Sequence, residues 1–260
     1  MSDGLDKLAG GIGEAIHTVP ELYQDAFQPA IQETGKLLAR IPRAINAAFS
    51  GLDKWILNKE YSIDETKKLL AQKLENVDPD KIVEPEAYVA IPAIQAISYS
   101  MNSEELRELY ANLLAKAMNS DTKDLVHPSF VEIIKQMSPN DASIFKIFFE
   151  SEYTPLVDLS ILSCDGGHVH YEYNISAITS HNYDIVLMSI DNLLRLGLIE
   201  IPLGMHYTDD QIYSLVRNTD HYNKTKEKLL SLNIGEFFEG KKYLKCTGLS
   251  ALFYNICVKD

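Results

Sequence analysis

The feature that most limits the fold is the spacing of apolar residues between positions 61 and 150. Along residues 102–118, apolar side chains recur at steps of three and four, which puts them on one face of an α-helix. Those side chains are Leu106, Leu109, Tyr110, Leu113, Leu114 and Ala117. Asn102 or Ser103 can cap the start of this helix. Because similar segments follow with short links, the middle of the chain predicts a helical bundle.

Local signals place the starts of further helices. Ser62 and Glu65 have the spacing of a capping box, so a helix is expected to start there. Another helix is expected over roughly 86–100, with Pro92 inside it or at a break. Ser138 stands before a proline, which predicts a cap followed by the first turn of a helix.

The period of the apolar pattern changes after residue 150. In chain order it indicates strands near 155–164 and 168–175, a helix over 183–196 that Gly197 ends, a short strand, a loop-like stretch over 203–221, and then a helix, a strand and a closing helix. This order resembles a winged-helix module, in which the helix before the glycine would enter a DNA groove.

These patterns predict a mainly α protein with an α+β part. We expect an amphipathic helical N-terminal segment over 1–60, a helical bundle over 61–150 and a winged-helix-like C-terminal domain over 151–260. The start of the chain is acidic and no apolar run is long enough to span a bilayer, so a cytoplasmic location is predicted.

The charge balance argues against nucleic acid as a partner. The chain has 24 Lys and Arg against 37 Asp and Glu, a formal net charge of −13, whereas contact with phosphate needs a basic surface. The candidate recognition helix carries Asp184 and Asp191 against Arg195, and the candidate wing over 203–222 is also acidic. We therefore expect this module to pack or to bind protein.

One turn has the residue types of a metal site. His168 and His170 are two apart on an expected strand, so they share a face, and Cys164 lies across a glycine turn. A fourth ligand would have to come from a distance, from His181 or Cys246. Because the ligand set is incomplete, the favoured interpretation is a hairpin turn with surface histidines, and no metal or other cofactor is expected.

Two further groups contain residue types used in acid–base chemistry. Arg217 and His221 are closer together than the Arg and His of HEPN-type toxin ribonucleases, and they lie in the loop-like stretch. His127 stands at a helix start with Asp121 and Asp124 upstream, but no nucleophile accompanies it. We therefore assign no catalytic residue, and a nuclease or another enzyme stays open as an alternative.

The residues over 36–56 form a basic amphipathic island in an acidic chain. Arg40, Arg43 and Lys54 lie mostly off an apolar stripe that includes Phe49, and Trp55 is nearby. Such a helix can enter a lipid interface or contact a partner, or it can cover the core of the bundle. Core covering is the favoured interpretation, and membrane contact by a toxic effector stays open.

The central block, residues 82–145, carries a family resemblance. Glu84 and Pro85, Pro92, the run ELRELYANLLAKAM at 105–118 and the run HPSFVEIIKQMSP at 127–139 resemble the bacterial abortive infection alpha family. Segments before and after the block are similar as well, so the resemblance covers about residues 20–260.

The resemblance implies a role in defence against phage, in which infection is met by growth arrest or death of the infected cell. It implies no catalytic residue. The expected function is therefore non-enzymatic, through contacts with a phage or host protein or through self-association.

Overall fold

The structure is a computed structural model that describes residues 45–46, 60–97, 99–100, 102–163 and 166–259, with the side chains of 60–65, 170 and 171 outside that description. Contacts divide the chain into two units: Met1–Ser98 with Ala111–Pro128, and Tyr99–Tyr110 with Ser129–Asp260. The division into 1–60, 61–150 and 151–260 stays a prediction.

The described part of the first unit is helical. Its elements are α1 (Glu60–Leu74), a 3-10 helix (Pro79–Lys81), α2 (Ala87–Ile97), the later part of α3 (Glu104–Ala117) and a 3-10 helix (Lys123–Leu125). An isolated bridge joins Ile82 to Asn119, and the N–H of Val83 donates to the carbonyl of Met118 at 2.9 Å. The apolar faces of the helices are buried, among them Leu70, Leu74, Val89, Ala93, Ile94 and Leu113.

The predicted helix boundaries are mostly confirmed. Pro92 lies inside α2, and Ser103 caps α3 by accepting a hydrogen bond from the N–H of Leu106. The expected start at Ser62 is wrong, because α1 already includes Glu60.

The second unit adds a sheet to further helices. Its elements are α4 (Ser129–Lys135), α5 (Pro139–Glu150), β1 (Pro155–Leu162), β2 (His168–Ser176), α6 (Tyr183–Arg195), β3 (Ile199–Glu200), a 3-10 helix (Asp210–Tyr213), α7 (Ser214–Arg217), α8 (Asp220–Leu232), β4 (Glu236–Tyr243), β5 (Lys245–Cys246), α9 (Gly248–Phe253) and a π-helical turn (Tyr254–Val258). Ser138 and Asp141 form a capping box at the start of α5, and Gly197, with φ of 72°, ends α6.

The larger sheet has three antiparallel strands in the order β2-β1-β4. The pairing of β1 with β4 is regular from Pro155 opposite Tyr243 to Leu162 opposite Glu236. The pairing of β1 with β2 shifts register on both sides of Leu159. The smaller sheet pairs β3 with β5.

Residues 210–232, which we name the cap, cover one face of the larger sheet. The cap consists of the 3-10 helix, α7 and α8. The shared core is made of Val157, Leu159, Ile161 and Ile175 from the sheet and of Tyr213, Val216, Tyr222 and Leu229 from the cap. The cap therefore packs on the sheet mainly through apolar contacts, which stabilise in proportion to the area buried.

The coarse fold prediction is confirmed, because the described chain is mostly helical with antiparallel sheet. The loop-like assignment of 203–221 is wrong: Asp209 caps the 3-10 helix and Thr219 caps α8. Those turns are too short to show a helical period in sequence. The structure does not confirm the winged-helix module, since the candidate wing over 203–222 supplies Tyr213 and Val216 to the core.

Candidate functional site

The most concentrated polar chemistry of the second unit lies where the cap meets the sheet. Glu172 on β2 and Glu239 on β4 both pair with Leu159 of β1, one on each side. Since adjacent strands are about 4.8 Å apart, the backbones of the two glutamates are roughly 10 Å apart. Each carboxylate accepts hydrogen bonds from side chains of the cap.

On the β4 side, one arginine joins two carboxylates. The Arg217 guanidinium donates to Glu239 with a shortest distance of 2.6 Å, and to both carboxylate oxygens of Asp210 at 2.8 and 2.9 Å. The Tyr222 hydroxyl donates to Glu239 at 2.5 Å. The Lys241 ammonium lies 2.6 Å from Asp210. The charges on this side are therefore neutralised within one network.

The network shifts the protonation of both acids in the same direction. Burial raises the pKa of the Glu239 carboxyl, but hydrogen bonds from Arg217 and Tyr222 and the positive charges of Arg217 and Lys241 outweigh burial, so the pKa lies below its ordinary value. Hydrogen bonds from Arg217 and then Lys241 hold the pKa of Asp210 well below its ordinary range. Both acids are therefore ionised at neutral pH.

On the β2 side, a histidine takes the place of the arginine. His221 Nε2 lies 2.5 Å from Glu172 Oε2, and the Thr225 hydroxyl donates to the same oxygen at 2.9 Å. The Tyr183 ring stacks on the His221 ring with centroids 4.2 Å apart. The Tyr183 hydroxyl donates to the carbonyl of Tyr173 at 2.8 Å and accepts from its N–H at 3.1 Å. Burial raises the pKa of Tyr183 to about 12, so its hydroxyl stays protonated at neutral pH.

These contacts define what the site can do. Arg217 and His221 of the cap bind Glu239 and Glu172 of the sheet, and Lys241 of the sheet binds Asp210 of the cap. Each of these contacts crosses the interface between cap and sheet and therefore restrains the cap. A hydrogen bond to a charged partner contributes about 1.5–3 kcal/mol. The arrangement is therefore suited to fixing the cap on the sheet.

The structure separates the ribonuclease-like pair of the sequence. Arg217 and His221 bind different carboxylates, on β4 and on β2. The sequence analysis did not identify Glu172 and Glu239, because the two residues are related only through their shared register with β1. The alternation along β2 could have placed Glu172 on one face, but no local pattern indicates its partner.

The histidine ahead of α4 lies in the first unit. His127 is exposed, and Asp121 forms an ion pair with Lys81 at 2.6 Å. Asp124 is part of a 3-10 helix. Asp121 therefore has a cationic partner of its own.

The expected absence of a metal ion at the Cys164, His168 and His170 turn stays a prediction. Cys164 and the side chain of His170 lie outside the described residues. His168 Nδ1 is 3.3 Å from the Ser160 hydroxyl, and its ring meets the Phe238 ring edge-on at 4.7 Å. Within the described residues, no group of three or more His, Cys, Asp or Glu is placed to hold a metal ion.

The basic island over 36–56 lies outside the described residues except for Ile45 and Asn46, and this includes Arg40, Arg43, Phe49, Lys54 and Trp55. Ile45 is helical and buried, and Asn46 is helical and exposed.

No helix in the described ranges has both the length and the apolar character that a membrane span requires.

An open cavity of about 320 Å³ lies beside the end of α5 in the second unit. Its lining combines apolar side chains with the hydroxyl groups of Ser151, Thr154, Ser176, Thr179 and Ser180, and includes no charged side chain. The cavity therefore offers packing and neutral hydrogen bonds.

Comparison with known proteins gives a match to a family. The model of the family described as abortive infection alpha matches residues 58–257. No curated protein matches the chain. A solved structure of an uncharacterized protein from the hydrocarbon-degrading marine bacterium Alcanivorax borkumensis SK2 is 13% identical, covering 53% of this chain and 94% of that chain, with a TM-score of 0.34. That similarity is too low to support an inference about function.

Proposed function

Since the chain belongs to the abortive infection alpha family, we propose that it protects bacteria against phage by binding other proteins and not by catalysing a reaction. The family gives the defence role. The mode of action is inferred from the chemistry of the described surface and of the cap.

The observation that carries the proposal is the internal pairing of the groups best suited to catalysis. Arg217 is bound by Asp210 and Glu239, and His221 is held between Glu172 and the Tyr183 ring. A general acid or base must reach the proton that it transfers on a substrate. These groups instead reach one another, which supports a structural role for them.

A second observation supports contact with a protein. Leu203 is fully exposed, beside Gly204 whose φ of 70° makes a tight turn, and Met205 is more than half exposed. Burial of one such side chain by a partner contributes about 1.5–3 kcal/mol. The loop between β3 and the cap is therefore suited to contact a phage or host protein.

The test is a phage challenge of cells that carry variants of the full chain. The Leu203→Asp variant is expected to lose protection, because a carboxylate cannot enter an apolar contact. The matched control is Leu230→Asp, which changes an exposed leucine on α8 and is expected to protect. The His221→Gln variant keeps a donor for Glu172 and is also expected to protect.

Two results would contradict the proposal. One is loss of protection by His221→Gln at unchanged abundance and thermal stability, together with cleavage of RNA or DNA by the purified wild-type chain. The other is full protection by Leu203→Asp, which would remove this loop as the contact.

Two finer interpretations are also proposals. A winged-helix-like arrangement of 151–260 is supported by the pairing of β3 with β5 after α6. Membrane contact through 36–56 stays the alternative that the sequence leaves open.

A further inference from the structure

The two outer edges of the three-stranded sheet differ in how their backbone groups are used. On β2, the Tyr183 hydroxyl binds both the N–H and the carbonyl of Tyr173. Asn174 has a φ of 53°, and the register against β1 shifts twice. An edge that is bulged and whose backbone groups at Tyr173 are already bound cannot pair regularly with another strand along its whole length.

The β4 edge is regular over its whole length. At one end of β1, the N–H of Ser163 donates to the carbonyl of Gly167 in the β2 hairpin, so the odd-numbered residues of β1 bond to β2 and its even-numbered residues bond to β4. At the other end, the N–H of Leu244 donates to the carbonyl of Thr154 opposite it, which is a bonded pair of two even-numbered residues. Because bonded pairs alternate along an antiparallel ladder, the even-numbered residues of β4 form bonded pairs with β1. The odd-numbered residues therefore direct their N–H and carbonyl groups outward.

Those outward groups have the properties of a free edge. No hydrogen bond from the described part of the chain reaches the backbone N–H or carbonyl of Phe237, Glu239 or Lys241. Their side chains lie on the face of the cap, where Glu239 binds Arg217 and Lys241 binds Asp210. The edge is thus held in an extended shape before any partner arrives.

We propose that β4 pairs antiparallel with β4 of a second copy of this chain, with Gly240 on the two-fold axis. In that register, Glu239 of each copy lies opposite Lys241 of the other, and Phe237 lies opposite Tyr243. Opposite charges placed directly across two strands stabilise a sheet, and like charges destabilise it. The neighbouring registers place Glu239 opposite Glu239 or Lys241 opposite Lys241, so the charges select the axis at Gly240.

The residue on the axis fits this arrangement. Gly240 bonds to β1, so across the axis it forms a non-hydrogen-bonded pair, in which the Cα atoms approach to about 4.5 Å. A Cβ at this position would meet nothing nearer than 3.6 Å. A Cβ can therefore be added at Gly240 in ordinary contact distance of its neighbours in the monomer, which makes this position useful for a test.

The experiment measures the mass of the purified full chain by sedimentation over a range of concentrations. The wild type is expected to form a dimer. Lys241→Pro removes an outward N–H, which an edge strand tolerates, and the symmetry removes it from both copies. Dimer dissociation is expected to increase by about tenfold or more. The matched control is Lys241→Gln, which keeps the N–H and should have a smaller effect.

A second pair of variants covers the case in which Lys241→Pro does not fold. Gly240→Lys places two ammonium groups face to face on the axis and should weaken the dimer, whereas Gly240→Ala should leave it intact. The Glu239 amide should exchange its hydrogen more slowly in the concentrated wild type than in the dilute one.

A wild type that stays monomeric at every concentration would overturn the inference. A dimer that neither Lys241→Pro nor Gly240→Lys weakens would also overturn it. This inference does not depend on the proposed function, because dimer formation is measured without phage.

Discussion

The two sides of the cap hold the same sheet with different chemistry. On the β4 side, Arg217 is a permanent cation that binds Asp210 and Glu239 with several hydrogen bonds. On the β2 side, His221 contacts the Glu172 carboxylate through one ring nitrogen, Nε2, and its ring is stacked on the Tyr183 ring. A planar guanidinium can donate to two carboxylates at once, whereas a single imidazole nitrogen binds one carboxylate oxygen. We infer that the β4 side is the stronger attachment of the cap.

The largest effect is expected when the stronger side is broken. Arg217→Met should lower the free energy of unfolding by about 2–3 kcal/mol, because it leaves the Glu239 side chain, which is only 12% exposed, without its cation. Urea unfolding of the purified chain measures this loss. The matched control is Arg195→Met, which changes an exposed arginine bound to Gln136 and Asn192. Equal losses in the two variants would show that Arg217 has no special role.

A smaller effect is expected on the weaker side. Tyr183→Phe keeps the ring that stacks on His221 but removes both hydrogen bonds to Tyr173. The free energy of unfolding should fall by about 1 kcal/mol, since the freed backbone groups of an exposed edge can bind water. The same urea titration provides the measurement. A loss larger than that of Arg217→Met would reverse the ranking of the two sides.

The smallest effect is one that appears only in acid. The pKa values of Asp210 and Glu239 are lower in the folded chain than in the unfolded one, so the unfolded chain binds more protons as the pH falls. The stability that these acids contribute is therefore complete above their ordinary pKa values of about 4 and decreases as the pH falls through the lower folded values. Arg217→Met should weaken this dependence in urea titrations at several pH values. An unchanged pH profile would show that the acids do not depend on Arg217.

The sequence predicts those elements whose signals are local. The helix N-cap at Ser138 and the end of α6 at Gly197 are confirmed, because each depends on one side chain or one backbone angle. The cap between 210 and 232 was predicted only in its last helix, since its first turns are defined by burial of Tyr213 and Val216 against distant strands.

The candidate site was beyond local prediction for the same reason. Glu172 and Glu239 are far apart in sequence and acquire their relation from the register of two strands against Leu159. That register includes irregular pairing on the β2 side, which no spacing rule gives. His221 was recognised as a reactive residue type, but its partner was not.

The hydroxyl group of Tyr183 sets a limit on stoichiometry. A sheet with two open flanks can add neighbours at both and grow into a fibre. Here one flank is closed at Tyr173 by a side chain of the same molecule. Strand addition along the full length of β2 is therefore blocked at Tyr173, and a two-fold pairing at β4 would occupy the other flank in a single step.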